Sequence, residues 1–285
     1  MQKSINGVIA TGIVSFNPDL PRLTENIRTI LPQVDRVYIF DNGSNNISDV
    51  KKIMGDIRLK KIVIIENSEN IGIAAALNVI IRKAKDDGYM WVITLDQDSV
   101  APDNLISEYF KYMTDKIGML SCKIIDRNIG ETSNSASHLY GVEEIPFCIT
   151  SASMINIRAW DNVGGFTEKL FIDAVDFDMC LLLRKHGWKI LRINDAALLH
   201  EVGHSEIKKL FGKEYLVYHH SPVRYYYMIR NGIYIGRKHH FVCHAIIRAF
   251  RQFVMVIFYE DKKMNKLKMM IIGLWHAIIG RYGRY

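Results

Sequence analysis

Short apolar runs and helical periodicities alternate along the first hundred residues of the chain. Four runs rich in β-branched and aromatic residues predict buried strands at Val8–Phe16, Arg36–Phe40, Lys61–Ile65 and Trp91–Leu95. Between them, apolar residues recur at helical spacing and predict helices at Leu20–Leu31, Ile47–Met54 and Ile71–Ala84. Strands that alternate with helices in this way form right-handed βαβ units. The pattern therefore predicts an α/β fold, a doubly wound and mostly parallel sheet flanked by helices.

The pattern becomes less regular after residue 100. A helix is predicted near Asp103–Thr114, and later apolar runs predict strands at Gly118–Ile125, Pro146–Ile157 and Lys189–Ile193. The apolar stretch after Asp176 predicts a helix that runs through Arg184 and ends at His186. The polar loop Asp126–His138 is interpreted either as the acceptor side of a cleft or as an ordinary surface loop.

Polar side chains follow each of the first four predicted strands. They are Asn17 after the first strand, Asp41 after the second, Asn67 or Asn70 after the third, and Asp96 with Asp98 after the fourth. In a doubly wound sheet these strand ends line one crevice, which is where ligands bind. Neither G-x-G-x-x-G nor G-x-x-x-x-G-K-[ST] occurs in the chain, which argues against a dinucleotide dehydrogenase and a P-loop enzyme.

Asp96 and Asp98 are candidates for binding a metal ion. Two carboxylates one residue apart can approach one cation where the backbone turns, and their hard oxygens suit Mg²⁺ or Mn²⁺ carrying phosphates. A simple turn is the alternative, because Asp and Ser are common turn residues. His200 follows another apolar run, where a further strand-end ligand would fall, although a lone histidine is more often structural.

Three acids, Asp173, Asp176 and Asp178, alternate with apolar residues ahead of the helix that ends at His186. Acids at the start of a helix often serve only as caps or as partners of the helix dipole. A carboxylate held at the edge of a pocket, near a sugar hydroxyl, would instead act as a general base.

The composition is that of a globular protein, with 49% hydrophobic and 24% charged residues among 285. The four cysteines show no C-x-x-C spacing and lie in apolar surroundings, which favours free thiols in a reducing compartment. The N-terminal residues lack the basic start and long apolar core of a signal peptide, so we expect a cytoplasmic protein.

The net charge of +7 is concentrated at the C-terminal end. Residues 201–285 contain 15 Lys and Arg against 5 Asp and Glu, whereas the first 200 residues contain 22 against 25. A slightly acidic body with a basic, aromatic tail argues against nucleic-acid binding and favours contact with something anionic, such as a membrane surface. We therefore divide the chain into a catalytic region, 1–205, and a basic, aromatic helical region, 206–285.

Two apolar segments in this tail predict helices. In Phe241–Tyr259 the residues His244, Arg248 and Arg251 mark one polar face, and Met269–Ile279 is about half as long as a bilayer span. Such a pair suits the surface of an anionic leaflet, and we expect it to bind peripherally on the inner face of the cytoplasmic membrane. Packing on the catalytic region or in a homodimer is the alternative.

Taken in order, these motifs resemble the family-2 inverting glycosyltransferases of the GT-A fold. Within that family, the chain is most similar to bacterial rhamnosyltransferases that build O-antigen and related cell-surface polysaccharides. The resemblance covers about residues 8–240. It depends on Ser15-Phe16-Asn17-Pro18, Asp41-Asn42-Gly43-Ser44, Asn70-Ile71-Gly72 with Asn78, Asp96-Gln97-Asp98-Ser99, Gly164-Gly165-Phe166, Asp173 with Val175-Asp176-Phe177-Asp178, His200 with Gly203 and Ser205, and Tyr226-Tyr227-Met228-Ile229-Arg230-Asn231.

The resemblance implies a role for each matching residue. Asp41 would contact the nucleoside of a nucleotide-sugar, and Asn17, Asn70 and Asn78 would shape that pocket. Asp96 and Asp98 match the family's metal motif, with Asp98 the direct ligand and His200 completing the site, and Asp96 also facing the donor. Asp176 matches the catalytic base. Val175 replaces the family's usual Glu, so Asp173 or Asp178 would orient the acceptor, and Arg230 is placed on the acceptor side.

The implied reaction is the inverting transfer of L-rhamnose from dTDP-L-rhamnose to a saccharide acceptor, which is expected to be lipid-linked. Two other classes stay open. A sugar-1-phosphate nucleotidyltransferase needs an early glycine-rich loop bearing Arg or Lys, and Val8–Leu20 has none. A non-catalytic sugar-nucleotide-binding subunit is disfavoured because the metal acids and the base are all present.

Overall fold

The computed structural model describes residues 9–56, 61–126, 130–131, 140–200, 206–210, 213–217 and 219–285. Most of the predicted polar loop 126–138 lies outside the described residues, as does the side chain of His200. The strands within the described part are β1 (Ile9–Ser15), β2 (Arg36–Asn42), β3 (Ile62–Asn67), β4 (Trp91–Asp96), β5 (Ile117–Asp126), β6 (Gly130–Glu131), β7 (Val142–Glu144), β8 (Ser153–Asn156), β9 (Lys189–His200), β10 (Glu206–Leu210) and β11 (Lys213–Val217).

One large sheet forms the centre of the fold. Its strand order is β3-β2-β1-β4-β8-β5-β9-β7, and β6 pairs with β5. Strands β3, β2, β1 and β4 run parallel, as do β5 and β9, whereas β8 and β7 are antiparallel to their neighbours. Strands β10 and β11 form a separate antiparallel hairpin. The predicted α/β class with a mostly parallel sheet is confirmed.

Helices cover both faces of this sheet. The helices of the described residues are α1 (Leu20–Ile30), α2 (Ile47–Asp56), α3 (Ile73–Asp86), α4 (Leu105–Phe110), α5 (Ile157–Asn162), α6 (Val175–Lys185), α7 (Pro222–Lys238), α8 (Val242–Tyr259) and α9 (Lys263–Ile279). Apolar side chains of α1, α2 and α4 form a core on one face, and those of α3, α5 and α6 form a core on the other. All seven positions of β1 are consequently buried, which explains its continuous apolar run.

The predicted strand Pro146–Ile157 is wrong in extent. Only Ser153–Asn156 is a strand, and a helix begins at Ile157. The Asn156 Oδ1 accepts a hydrogen bond from the backbone N–H of Arg158 at 3.0 Å and so caps this helix. The helix predicted near residues 103–114 is shorter than expected and spans Leu105–Phe110.

The C-terminal helices form a layer built on α7. Helix α9 packs closely against α7, and α8 contacts both. A buried ion pair closes the turn between α8 and α9, where Lys266 Nζ lies 2.6 Å from Glu260 Oε2, and Tyr225 of α7 donates to Glu260 Oε1 at 2.6 Å. Within the described residues, one helix, Val242–Tyr259, is long and apolar enough to cross a membrane.

Candidate active site

Side-chain hydrogen bonds tie the loop after β1 to the loop after β2. The backbone N–H of Asn17 donates to Ser44 Oγ at 2.8 Å, and Asn17 Oδ1 accepts from the backbone N–H of Asn45 at 2.8 Å. Asp41 Oδ2 accepts from the Ser44 N–H at 3.1 Å. The Asp41 Oδ1 is buried and has no hydrogen-bond partner among the described residues. This spare acceptor fits an N–H group of a bound ligand.

The segment after β3 closes the next side of the crevice. Asn42 Oδ1 accepts from the N–H of Ile71 at 2.8 Å, and Asn70 Oδ1 accepts from the N–H of Gly72 at 2.9 Å. Gly72 has a φ of +85°, and a Cβ atom there would lie 2.5 Å from the carbonyl oxygen of Phe171. Glycine is therefore required for the crevice wall to approach the loop that precedes α6.

The loop at the end of β4 carries both candidate metal ligands. The Asp96 carbonyl accepts from Asn26 Nδ2 at 2.6 Å, and Gln97 Oε1 accepts from the backbone N–H of Phe16 at 2.8 Å. These bonds fix the loop through its backbone and its neutral side chain. The Asp98 carboxylate forms no hydrogen bond or ion pair with the residues that the structure describes.

Backbone pairing brings the end of β9 to this loop. Val100 and Leu199 form an antiparallel bridge, and the β5–β9 register pairs Asp126 with His200. Residue 200 is thus placed beside the loop that contains Asp98, as a third ligand would require. Because its side chain lies outside the described residues, the role of His200 stays a prediction.

Asp176 lies in the first turn of α6 and is partly buried. Its Oδ1 accepts from the backbone N–H of Phe177 at 2.8 Å. The pKa of Asp176 is raised to about 6, chiefly by burial and then by the negative charges of Asp173 and Asp96. The structure therefore brings these three carboxylates close enough for their charges to interact. A carboxylate with a pKa near neutrality is suited to accept a proton from a hydroxyl.

The backbone before α6 is strained. Phe171, Asp173 and Ala174 have φ values of +63°, +72° and +61°. Phe171 forms a γ-turn of positive φ, closed by a 2.8 Å hydrogen bond from the Ile172 N–H to the Leu170 carbonyl. Such conformations cost about 1–3 kcal/mol for each non-glycine residue and concentrate at functional sites. We call residues 170–174 the base loop.

Asp173 within the base loop faces a cation from α7. Its Oδ2 lies 3.6 Å from Arg224 Nε, which is an ion pair but too long for a hydrogen bond. Both atoms are buried and lack a hydrogen-bond partner among the described residues. These two atoms are therefore able to form hydrogen bonds with a bound acceptor, which is the role predicted for Asp173.

Asn78 does not line the crevice, contrary to its predicted role in the nucleotide pocket. Its Nδ2 donates to the Phe166 carbonyl and to Glu168 Oε1, both at 2.9 Å. Its Oδ1 accepts from the Phe166 N–H at 2.8 Å and from Trp160 Nε1 at 3.1 Å. With both side-chain atoms occupied and 3% of the residue exposed, Asn78 fastens the Gly165–Phe166 turn to α3.

Asp178 is likewise withdrawn from the acceptor side. It is fully buried, and its carboxylate accepts hydrogen bonds from Thr167 Oγ1 at 2.5 Å, Lys238 Nζ at 2.8 Å and His239 Nε2 at 2.7 Å. Those partners hold α6 against the end of α7. No part of the carboxylate is left for a substrate hydroxyl.

Arg230 was also predicted on the acceptor side, and the structure places it in the interior. Its guanidinium is fully buried and donates to the carbonyls of Lys169, Leu170 and Gly283 at 3.3, 3.1 and 2.6 Å. A side chain in this position cannot reach an acceptor. Arg230 therefore has a structural role beneath the base loop.

Sequence reasoning missed residues that position the site from a distance. Asn26 falls on the apolar face of α1 with Leu23, Ile27 and Ile30, and a lone amide on a buried face signals a specific partner, here Asp96. Gln97 sits inside the recognised motif, but its contact with Phe16 has no sequence signal. Asn231 follows Arg230 and also bonds to the base loop.

The donor set fits a hard divalent cation. Asp96 and Asp98 supply carboxylate oxygens at one strand end, and residue 200 lies beside them. In the described part of the chain, a separate cluster of ligating side chains occurs at His219, Glu260 and Asp261, where the Lys266 ammonium already provides the positive charge. The Asp96–Asp98 loop is therefore the better metal candidate.

Comparisons with known proteins agree with this geometry. Residues 12–168, more than half of the chain, match the model of Glycosyl transferase family 2. The chain is 29% identical to the dTDP-rhamnosyl transferase RfbF of Shigella flexneri over 307 aligned positions, which cover 98% of both proteins.

Solved structures with the same fold include two microbial proteins of low sequence identity. TarS residues 1–349 of S. aureus align with a TM-score of 0.60 at 14% identity, over 96% of this chain and 82% of that one. The mannosyltransferase PcManGT of Pyrobaculum calidifontis, solved with GDP-Man and Mn²⁺, gives a TM-score of 0.58 at 15% identity, over 98% and 88%. Their shared architecture confirms the predicted GT-A type of fold, and by its family match the chain belongs to glycosyltransferase family 2.

Proposed function

We propose that the protein is an inverting glycosyltransferase that moves L-rhamnose from dTDP-L-rhamnose to a saccharide acceptor in bacterial surface polysaccharide synthesis, such as that of O-antigen. The observation that carries the proposal is the position of Asp176, a partly buried carboxylate in the first turn of α6 whose pKa of about 6 is raised in part by the charge of Asp96. The near full-length similarity to a dTDP-rhamnosyl transferase supports this choice of donor.

Asp176 acts as the general base. It removes the proton from the acceptor hydroxyl as that oxygen attacks the anomeric carbon from the face opposite the nucleotide, which inverts the configuration. Asp173, paired at 3.6 Å with Arg224, orients the acceptor hydroxyl. Positioned base catalysis of this kind is worth about 10²–10⁴-fold in rate.

Asp96, Asp98 and His200 would hold a divalent cation, Mg²⁺ or Mn²⁺. When bound, the cation offsets negative charge on the departing nucleoside diphosphate. Asp41, with its spare buried oxygen, contacts the nucleoside, and Asn17 and Asn70 hold the surrounding loops in place.

The acceptor is proposed to be lipid-linked, because α8 and α9 expose a large apolar surface. Their exposed apolar side chains, which we call the α8–α9 surface, are Ile246, Ile247, Phe250, Ile257, Phe258, Met264, Ile271, Trp275, Ile278 and Ile279. A contiguous apolar face of this kind marks an interaction site on a soluble domain.

The charges that surround the α8–α9 surface favour an anionic bilayer as its partner. Exposed cations flank both helices, namely Arg248, Arg251, Lys262, Lys263 and Lys268. Residues 241–285 contain eight Lys and Arg against two acids, of which Glu260 is buried. Each basic side chain near an anionic surface contributes about 1 kcal/mol of attraction. We therefore propose that the 206–285 region holds the enzyme peripherally on the inner face of the cytoplasmic membrane.

Co-sedimentation of the full chain with vesicles tests this partner. Wild type should bind vesicles that contain phosphatidylglycerol and bind weakly to pure phosphatidylcholine, and the double variant Phe250→Ser with Trp275→Ser should lose binding. Met90→Ser, which removes an equally exposed apolar side chain at the start of β4, is the control. A wild type that forms dimers through this surface and ignores anionic vesicles would contradict the proposal.

A panel of nucleotide-sugars, each with Mg²⁺ or Mn²⁺, tests the transfer itself. Mass spectrometry should detect an acceptor heavier by one deoxyhexose with dTDP-L-rhamnose, and thermal stabilisation should be strongest with dTDP and its sugars. Stabilisation by a nucleoside triphosphate alone, together with pyrophosphate release, would identify a nucleotidyltransferase instead. Binding of dTDP-sugars without any turnover would indicate a non-catalytic subunit.

A further inference from the structure

Asn231 of α7 binds the base loop through contacts with three carbonyls. Its Nδ2 lies 2.9 Å from the Leu170 carbonyl, 2.7 Å from the Ile172 carbonyl and 3.0 Å from the Asp173 carbonyl. One buried amide group thus serves most of the carbonyls of a strained segment. The partners lie about sixty residues away in sequence, so the interaction is purely tertiary.

Arg230 determines which way the Asn231 amide points. The Arg230 Nε donates to Asn231 Oδ1 at 3.0 Å, so the nitrogen end of the amide must face the base loop. The same guanidinium donates to the Lys169 and Leu170 carbonyls. Two adjacent side chains therefore act on one loop, the first by orienting the second.

The guanidinium of Arg230 is stabilised without a carboxylate partner among the described residues. Its carbon lies 4.8 Å from the ring centroid of Tyr227, 5.2 Å from that of Tyr226 and 5.9 Å from that of Tyr282. The guanidinium also donates to the Tyr226 hydroxyl at 3.3 Å. A buried charge that is satisfied by carbonyls, one hydroxyl and aromatic rings is demanding in geometry, because few arrangements compensate its desolvation. Simple packing of α7 would not need it.

We propose that Arg230 and Asn231 form a latch that positions the catalytic base. The latch holds residues 170–174 in their positive-φ conformation, which sets the direction in which the chain enters α6. Asp173 and Asp176 are thereby held beside Asp96. Arg230 and Asn231 are positioning residues that never touch substrate, and this inference rests on the proposed function of Asp176.

Hydrogen exchange tests the latch independently of any transfer reaction. In Asn231→Ala and Arg230→Lys, the amides of residues 168–176 should exchange faster, whereas those of β1 and β4 should not change. Tyr225→Phe is the matched control, because it removes one buried hydrogen bond of α7, to Glu260, without touching the base loop. Exchange in residues 168–176 that is the same in all three variants and in wild type would overturn the latch.

Steady-state kinetics then measure the consequence for transfer. Misplacement of a catalytic group by about 1 Å costs about 100-fold in rate, so kcat should fall by about that factor in Asn231→Ala while KM for the donor stays near wild type. Arg230→Lys keeps the charge but loses the bond to Asn231, and it should likewise lower kcat while leaving KM for the donor near wild type. Tyr225→Phe should keep wild-type kcat.

The two proposals fail in different ways. Faster exchange at residues 168–176 in the variants, together with no transfer by the wild type, would support the latch and refute the proposed transferase activity. If kcat falls in proportion to the melting temperature, and does so in both Asn231→Ala and Tyr225→Phe, then α7 has only a structural role and the latch is overturned. Should Asn231→Ala not fold, Arg230→Lys provides a second exchange comparison, because it keeps the positive charge and leaves the Asn231 side chain itself in place.

Discussion

Replacing Asp176 with Asn separates the charge of the proposed base from its shape. Asn is nearly isosteric and neutral, and its Oδ1 can still accept the 2.8 Å hydrogen bond from the Phe177 N–H. The substitution should therefore leave α6 and the base loop in place. Transfer should be lost, because an amide cannot accept the proton of the acceptor hydroxyl, while binding of dTDP should persist.

The same substitution should make the protein more stable, and the pKa shift gives the magnitude. The pKa of Asp176 is raised from 3.8 to about 6, and each unit corresponds to about 1.36 kcal/mol, so ionising the folded carboxylate costs about 3 kcal/mol more than ionising the unfolded one. A raised carboxyl pKa means that the folded state binds the proton more tightly. The stability that the protonated Asp176 carboxyl gives the folded state is therefore fully present below pH 3.8 and is lost as the pH rises to about 6.

Urea denaturation between pH 4 and pH 8 measures this difference. Asp176→Asn should unfold with nearly the wild-type free energy at pH 4 and with up to about 3 kcal/mol more at pH 8. Asp178→Asn, two residues along the same helix, should behave oppositely. It leaves the partly buried Lys238 and the neighbouring His239 with a weakened partner, so it should destabilise the protein by about 1–3 kcal/mol at pH 8.

Either of two results would refute this reasoning. An Asp176→Asn protein that is no more stable than wild type at pH 8 would show that the carboxylate is well solvated or paired. Near-normal turnover by the variant would move the base to another residue, with Asp173 the first to test.

Three further predictions follow from the site. Asp98→Ala should abolish the gain in dTDP affinity on adding Mn²⁺, as titration calorimetry with and without the metal would show; an unchanged metal effect would point to another ligand set. Asn78→Ala should lower the free energy of unfolding by about 3 kcal/mol, because it strands several buried polar groups, yet leave the dissociation constant for dTDP unaltered; weaker dTDP binding would restore Asn78 to the pocket. In wild type, kcat/KM should rise with pH and level off above about 6, since the base must be ionised; a profile that falls over this range would be incompatible with a carboxylate base.

The fold was predictable because its determinants are local. Alternating apolar runs and helical periods predict the sheet and its flanking helices, and the acids and amides after the first four strands indicate the edge where ligands bind. The prediction failed between residues 146 and 157, where an apolar run continues across a cap at Asn156. The cap marks where the strand gives way to a helix at Ile157. Residues 146–152 are also apolar in part but precede the strand, which begins only at Ser153.

The roles of polar residues were less predictable, because they depend on partners far along the chain. Asn78, Asp178 and Arg230 all carry chemistry suited to a substrate, but their partners lie up to 88 residues away and occupy them fully. Asp41, by contrast, keeps a buried oxygen without a partner among the described residues. Residue type shows what a side chain is able to bind, and only the tertiary structure shows which groups are already bound.

The account requires a single displacement in which Asp176 deprotonates the attacking hydroxyl. The anomeric configuration of the transferred sugar, determined by NMR on product formed from dTDP-L-rhamnose, tests this most directly. We predict the configuration opposite to that of the donor. A product with the donor's configuration would exclude attack from the face opposite the nucleotide and would contradict the role assigned to Asp176.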